Sequence, residues 1–330
     1  MANLRDATRR RVRKLAGMTA GPAFAGLAVA LSILWAGQAA GQTGAAAVAT
    51  PLTVCMAEDN PPLSHKIQNE PQGLDVRVAQ AIAAELKRPL QVILFESKYE
   101  AESSLGHELN ALLSSGVCEI ASGFPLLASD LGPPSRPTAR VPDHPGAKHR
   151  PQRAWVPLGA LAASPAYHVA AMGLVVREAS REGATLADPG DARIGVVAGT
   201  MAGTAVTLFR NGKLRPQLVS LSQNDSALEQ LEDGRIDATL VSLDQFDAWR
   251  LAHPSSALRP AAYVHPLRIN IGFVARAEAT QVLAAAHQVI TGALANGDLE
   301  RWATASGSTW LAPTQPQLSG PIGLAELRRE

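Results

Sequence analysis

Residues 52–95 read LTVCMAEDNPPLSHKIQNEPQGLDVRVAQAIAAELKRPLQVILF. Leu52 to Met56 is a short apolar run stopped by a polar stretch and the paired prolines Pro61 and Pro62, which reads as a buried strand ending in a turn. From there apolar side chains recur at Leu74, Val78, Ile82 and Leu86. Steps of four place them on one face of a helix. Leu90 to Phe95 is a second apolar, strand-like run. Strand, helix and strand in that order is the building unit of a parallel α/β sheet.

The same rhythm continues along the chain. Glu108 to Ser115 carries Leu109, Leu112 and Leu113 on one helical face, and Ile120 to Phe124 is a third strand. Further strands are expected at Gly173 to Val176, Arg193 to Val197, Ala238 to Val241 and Asn270 to Ala275. Helices are expected at Ala202 to Phe209, Asp225 to Glu232, Gln281 to Leu294 and Leu299 to Ala305. The predicted fold class is therefore α/β, with mostly parallel sheets flanked by helices. The tail from Pro313 is polar and contains Pro and Gly, and is expected to be loosely attached.

Residues 131–160 interrupt the pattern with seven prolines, five Lys or Arg and the single acid Asp143. Proline fixes φ and removes a backbone donor, so neither helix nor central strand is expected there. A long irregular segment of this kind reads as a lid or docking surface whose positive charge suits an acidic partner, a solvated insertion with no partner being the alternative.

The first fifty residues stand apart. Arg5, Arg9, Arg10, Arg11, Arg13 and Lys14 open the chain, a mostly apolar run follows from Ala23 to Ala36, and Ala39, Ala40 and Gly41 come next. Basic, apolar and small residues in that order are the pattern of a secretory signal peptide, and the adjacent arginines also resemble a twin-arginine export signal. A single membrane anchor is the alternative, although the apolar run is short for a span. The mature chain is expected to start between Gly41 and Thr50 and to be periplasmic. Removing residues 1–50 takes away six basic residues and Asp6, leaving 24 basic against 28 acidic side chains and a formal net charge of −4. No basic surplus points to nucleic acid.

Cys55 and Cys118 are the two cysteines. They form no metal-ligand spacing, and no metal or cofactor is expected. In an oxidising compartment the pair reads as one disulfide, two buried free thiols being the alternative. Adjacent Glu58 and Asp59 point opposite ways on an extended chain and make no acid/base couple. No Ser nucleophile elbow is legible.

Several segments carry a resemblance. They are Leu52 to Ser64, Gly73-Leu74-Asp75-Val76, Leu109 to Gly123 with Glu119 where an Asp is usual, Ser164-Pro165-Ala166-Tyr167, Arg193 to Thr200, Leu231 to Ala238, and Asn296-Gly297-Asp298-Leu299 followed by Trp302. In that order they resemble family 3 of the bacterial extracellular solute-binding proteins. The resemblance implies a two-lobed, type II periplasmic-binding-protein fold with the ligand cleft between the lobes. Lobe one would hold residues 51–163 and return with 275–312, residues 164–274 would hold the hinge crossings and lobe two, and 313–330 would be the C-terminal tail. Such proteins close over a small polar ligand and deliver it to an ABC permease, without enzymatic activity and touching the membrane only through a partner.

Ligand contacts implied by the resemblance are Asn60, Leu63, Ser122, Gly123 and Phe124 from lobe one, Tyr167 at the hinge, and Thr200 and Ser242 from lobe two. The amino-acid binders of the family also use an Arg shortly after the third strand, since a guanidinium grips a carboxylate through two parallel hydrogen bonds. Here that stretch is Phe124-Pro125-Leu126-Leu127-Ala128-Ser129-Asp130. The Asp that usually meets the ammonium is Ser242, and the aromatic after the paired prolines is Leu63; Asp244 or Arg136 could substitute. An α-amino acid ligand is therefore disfavoured. The cysteines and the missing Arg resemble a subgroup associated with quinoprotein methanol or alcohol dehydrogenases, which makes such a dehydrogenase the alternative partner. Cyclohexadienyl dehydratases resemble the same fold, so an enzyme is a further alternative.

Overall fold

The computed structural model describes residues 49–97, 104–147, 153 and 155–329. The expected leader falls almost entirely outside them, as do Lys148 and Arg150 of the proline-rich segment. Among the described residues no helix is long and apolar enough to cross a membrane.

The chain begins with β1 (Leu52–Ala57), a three-stranded ribbon of β2 (Asp59–Asn60), β3 (Ser64–Ile67) and β4 (Glu70–Gln72), α1 (Leu74–Glu85), β5 (Leu90–Phe95), α2 (Leu105–Ser114) and β6 (Ile120–Pro125). Then follow β7 (Thr138–Arg140), β8 (Trp155–Pro157) and the long β9 (Leu161–Val176). The next group is β10 (Ile194–Val197), α3 (Met201–Leu208), β11 (Leu218–Leu221), α4 (Ala227–Glu232), β12 (Ala238–Ser242) and α5 (Leu243–Ala252). A second long strand, β13 (Arg259–Arg276), leads to α6 (Thr280–Ala295), α7 (Asp298–Ala305) and α8 (Leu324–Leu327).

Eight strands share one sheet in the order β11-β10-β12-β9-β13-β6-β1-β5. The outer trios β11-β10-β12 and β6-β1-β5 are parallel, as the strand–helix rhythm requires. The two long strands between them run antiparallel to each other and to their neighbours. Sequence periodicity showed only the ends of these strands. Pro165, Pro260 and Pro266 interrupt the pattern, and the β9–β13 register shifts at several points along its length. Bulges of this kind let a ladder pass a residue that cannot donate. At the first of these breaks the Ser164 hydroxyl accepts from Phe273 N–H at 2.9 Å.

Two sets of apolar cores follow from this order. In one half, Val54, Ile82, Tyr167, Phe273 and Ile290 pack on one face of the sheet, and Cys55, Leu112, Phe124 and Val274 on the other. In the other half, Leu174, Ile194, Val206 and Leu240 pack with α3, while Val175, Leu231, Val241 and Phe246 pack with α4 and α5. Each half closes the amino ends of its strands with an Arg–carboxylate clamp. Arg88 binds both oxygens of Glu119 at 2.9 and 2.5 Å, which gives Glu119 its role ahead of β6. Arg193 binds both oxygens of Asp237 at 2.9 and 3.0 Å, and this hydrogen bonding holds the Asp237 carboxyl down at about 2.

Two expectations are corrected. Part of the proline-rich segment is core. Its β7–β8 hairpin packs on α2, with Ala139 and Val141 buried beside Leu109 and Leu112. Arg153 reaches back to the Val141 carbonyl at 2.7 Å and pairs with Asp143. Short apolar residues between the prolines supply the anchor, so removing the whole segment would strip the α2 face. The tail is not loose either: Leu327 is buried among the residues of α3.

Cys55 and Cys118 are disulfide-bonded, with Cα atoms 5.7 Å apart. Cys55 lies in β1, which is registered against β6 at Ala121, and Cys118 sits just before β6. The bond closes a loop of sequence separation 63, and losing such a bridge typically removes about 2–5 kcal/mol. Urea unfolding of the Cys55→Ala/Cys118→Ala protein should show a loss of that size, and an unchanged midpoint would count against it.

Candidate functional site

In open α/β sheets the binding crevice lies beyond the carboxyl ends of the strands, where successive crossovers change side. In the first half that point lies between β1 and β6, because α1 and α2 serve opposite faces. In the second half it lies between β10 and β12, with α3 on one face and α4 on the other. β6 ends at Pro125 opposite Ile271, itself opposite His168, and β12 ends at Ser242 opposite Met172. Four residue steps along β9, from His168 to Met172, therefore separate the two strand ends, roughly 13 Å at the usual strand rise.

Beyond β1 the chain turns so that Leu63 N–H donates to the Asn60 carbonyl at 2.9 Å, across the Pro61-Pro62 pair. The carbonyls of Pro62 and Leu63 then accept from Leu74 and Asp75 at the start of α1. Gly73 makes this close approach possible: its φ is +120°, and a Cβ there would fall 2.2 Å from the Leu63 carbonyl oxygen. The turn is thereby seated on α1, with Leu63 itself buried.

Asp75 is the hub of this side. It is 1 % exposed. Its carboxylate accepts from the Ser122 hydroxyl at 2.5 Å and from the Tyr167 hydroxyl at 2.7 Å. The Tyr167 oxygen in turn accepts from Gly123 N–H at 3.0 Å. Burial pushes the Asp75 carboxyl up, opposed by its two hydroxyl donors. Burial, followed by the Asp75 charge, pushes the Tyr167 phenol up, so it serves as a neutral donor.

The next residue faces the other half. His168 Nε2 lies 2.9 Å from Asp244 Oδ1 in the first turn of α5. Its ring is 1 % exposed, and its Nδ1 has no hydrogen-bond partner. Burial disfavours the charged ring, but Asp244, supported by Asp75 and Asp247, outweighs it and raises the histidine above its ordinary 6.5. Ala166 pairs with Gly272 and His168 with Ile271, so Tyr167 is the extra residue of a bulge. This bulge lets two successive side chains engage the two halves.

The eight sequence-predicted positions fall into groups. Ser122, Gly123 and Tyr167 join one hydrogen-bonded network through Asp75, and Asn60 and Leu63 form the turn above it. Phe124 follows on β6 with its side chain in the core against α2. Thr200 and Ser242 stand at the carboxyl ends of β10 and β12, with no hydrogen bond to the first group. Thr200 is exposed and caps α3, accepting from Gly203 N–H at 2.9 Å and donating to the Val197 carbonyl at 2.8 Å. A cavity of about 220 Å³ opens beside this turn, lined by Val197, Ala198, Gly199 and Thr204. Neither Asp75 nor His168 is among the site residues expected from the sequence. A signal for Asp75 existed: it shares the buried helix positions of Ala79, Ile82 and Ala83, where an acid needs partners.

No protein-family model matches the sequence, and no curated protein matches it. Solved structures do match. Substrate-binding domain 2 of Lactococcus lactis GlnP, in an open conformation, aligns with a TM-score of 0.55 at 13 % identity, covering 78 % of this chain and 97 % of that one. The L-cystine solute receptor of Neisseria gonorrhoeae, unliganded and open, aligns with a TM-score of 0.53 at 15 % identity, covering 78 % and 92 %. The fold is that of a type II periplasmic binding protein. One of these neighbours is a substrate-binding domain and the other a solute receptor.

Two outcomes test the joint. Tyr167→Phe removes the hydroxyl that serves both Asp75 and Gly123, and should cost about 1–3 kcal/mol in urea unfolding, the usual penalty for stranding buried polar groups. The second test is pH. A histidine raised in the folded state contributes fully below its unfolded value near 6.5 and loses that contribution as pH rises through the folded value. Asp75, also raised, follows the same sign from its ordinary 3.8 upward. Stability should therefore fall as pH rises past 6.5, and Asp244→Asn should flatten the slope. An equal slope in both proteins would show that the pair is not the source.

Proposed function

We propose that this chain is an exported, periplasmic solute-binding protein whose lobes close over a small polar ligand and pass it to an ABC permease. Lobe one comprises residues 51–163 and 275–312, and lobe two with the hinge crossings comprises 164–274. The observation that carries the reading is the joint at Tyr167 and His168. Two α/β halves meet through β9 and β13, and the carboxyl ends of β6 and β12 open onto the same short stretch of that ribbon. A crevice so placed changes shape when the ribbon bends, as in hinge closure around ligands.

Asn60, Thr200 and Ser242 are the polar positions at the crevice rim, and the Asp75 network forms its floor. The stretch Leu126 to Asp130 after β6 carries no Arg, and Asp244 is engaged by His168, which disfavours an α-amino acid. The ligand class is a small polar molecule other than an α-amino acid. The missing Arg also favours a second reading, in which the protein serves a periplasmic quinoprotein dehydrogenase as an accessory partner.

Thermal unfolding against a panel of small polar solutes separates the two. A cognate ligand at about 100 times its Kd adds about 2.7 kcal/mol of stability, so one solute class should raise Tm clearly, free α-amino acids should not, and Thr200→Val should weaken the response. A panel without any shift, combined with co-purification of a dehydrogenase, would replace uptake by the accessory role.

A further inference from the structure

Residues 309–327 thread back and forth across the joint. α7 packs in the core of lobe one through Leu299 and Ala303. Four residues beyond it, Thr309 is held by α5 of lobe two: its N–H and hydroxyl donate to the two oxygens of Asp247 at 2.5 and 2.8 Å. The chain then meets the hinge ribbon at Asn270, which is fully buried. The Asn270 amide donates to the carbonyls of Thr314 and Gln317 at 2.9 and 3.0 Å, and its oxygen accepts from Thr314 N–H at 2.9 Å. Gln317 Oε1 accepts from Ala166 N–H at 3.0 Å, a backbone donor beside the bulge at Tyr167.

Lobe one is next. Ser319 bridges the segment that follows β6, donating to the Leu126 carbonyl at 2.8 Å and accepting from Ala128 N–H at 2.9 Å. Ile322 and Leu327 then pack into the lobe-two core beside Val206 and Leu267, and the Leu327 carbonyl lies 3.3 Å from Nε2 of the buried His265. Each anchor satisfies a buried group that would otherwise be stranded, so none detaches without loss.

From this we propose that the C-terminal segment is a strap that holds the two lobes at a fixed mutual angle, and that lobe movement requires its release. The inference rests on the reading of β9 and β13 as a hinge. Its mechanics follow from chain length. Between the lobe-one anchor at Ser319 and the lobe-two anchor at Ile322 run three residue steps, which span roughly 10 Å when fully extended. Any opening that carries Leu126 and Ala128 away from α3 must first straighten this short link, and then pull out either the Ser319 bridge or the α8 contact.

The test measures the distance between spin labels on exposed positions of the two lobes, Glu85→Cys in α1 and Lys213→Cys after α3, with the native disulfide intact. Three forms of residues 49–330 are compared: unaltered at the strap, truncated after Gly320, and carrying a Gly/Ser insertion of about ten residues between Gly320 and Pro321, long enough to slacken the link. The insertion keeps every anchor, so it remains informative if the truncated chain does not fold. The expected result is a narrow distribution in the unaltered protein and a broader, shifted one in both variants. An unaltered protein already as broad as the variants would overturn the strap and leave the hinge standing. Narrow distributions in all three would overturn the strap and remove support for the hinge as well.

Discussion

A carboxylate without water must find its hydrogen bonds inside the protein, and Asp75 finds them on two different elements. Ser122 comes from β6 and Tyr167 from β9, and the phenol oxygen also occupies the Gly123 amide of β6. The start of α1, the end of β6 and the centre of β9 are thereby fixed relative to one another. The Asn60–Leu63 turn inherits its position from the same place, because it is bonded to the first turn of α1. Burying the carboxylate carries a desolvation cost, and a fully satisfied network offsets it while admitting one arrangement of its members.

His168 extends this constraint to the other half. Tyr167 bonds to Asp75 at the start of α1, and the next residue, His168, meets Asp244 of α5. The bulge at Tyr167 supplies the extra residue, and the breaks in the ladder around Pro165 leave donors that only outside groups satisfy. Ser164 meets one of them, and Gln317, from far along the chain, meets another. The joint is thus both irregular in register and cross-bonded by side chains. By comparison, exposed ion pairs such as Arg235–Asp233 and Arg259–Glu182 lie in solvent, where such pairs contribute little.

Much of each half was legible because its elements depend on short-range periodicity. The Leu74–Ile82 stripe, the Leu90–Phe95 run and the clustered leucines of Glu108 to Ser115 each report a local environment, and β1, α1, β5, α2 and β6 follow them closely. The same holds for β10, α3 and β12. The long strands were not legible in full, since their central residues pair with partners about a hundred positions away and their prolines read as breaks. α5 was missed for a related reason: its buried acid, Asp247, is satisfied by Thr309 on a distant segment.

The sequence by itself determined the α/β class, the placement of Asn60, Ser122, Thr200 and Ser242 near strand ends, and the availability of Cys55 and Cys118 for pairing. All of these depend on residue type and spacing of a few positions, which the chain carries locally. Only the tertiary structure decided that Asp75 and His168 hold the joint, that the proline-rich segment donates Ala139 and Val141 to the core, and that the polar tail is bonded to Asp247, Asn270 and Ala166 and packs Leu327 beside α3. The physical reason is common to the three. Buried polar groups and short apolar anchors acquire their meaning from what lies opposite them, and no local pattern records a partner brought near by the fold.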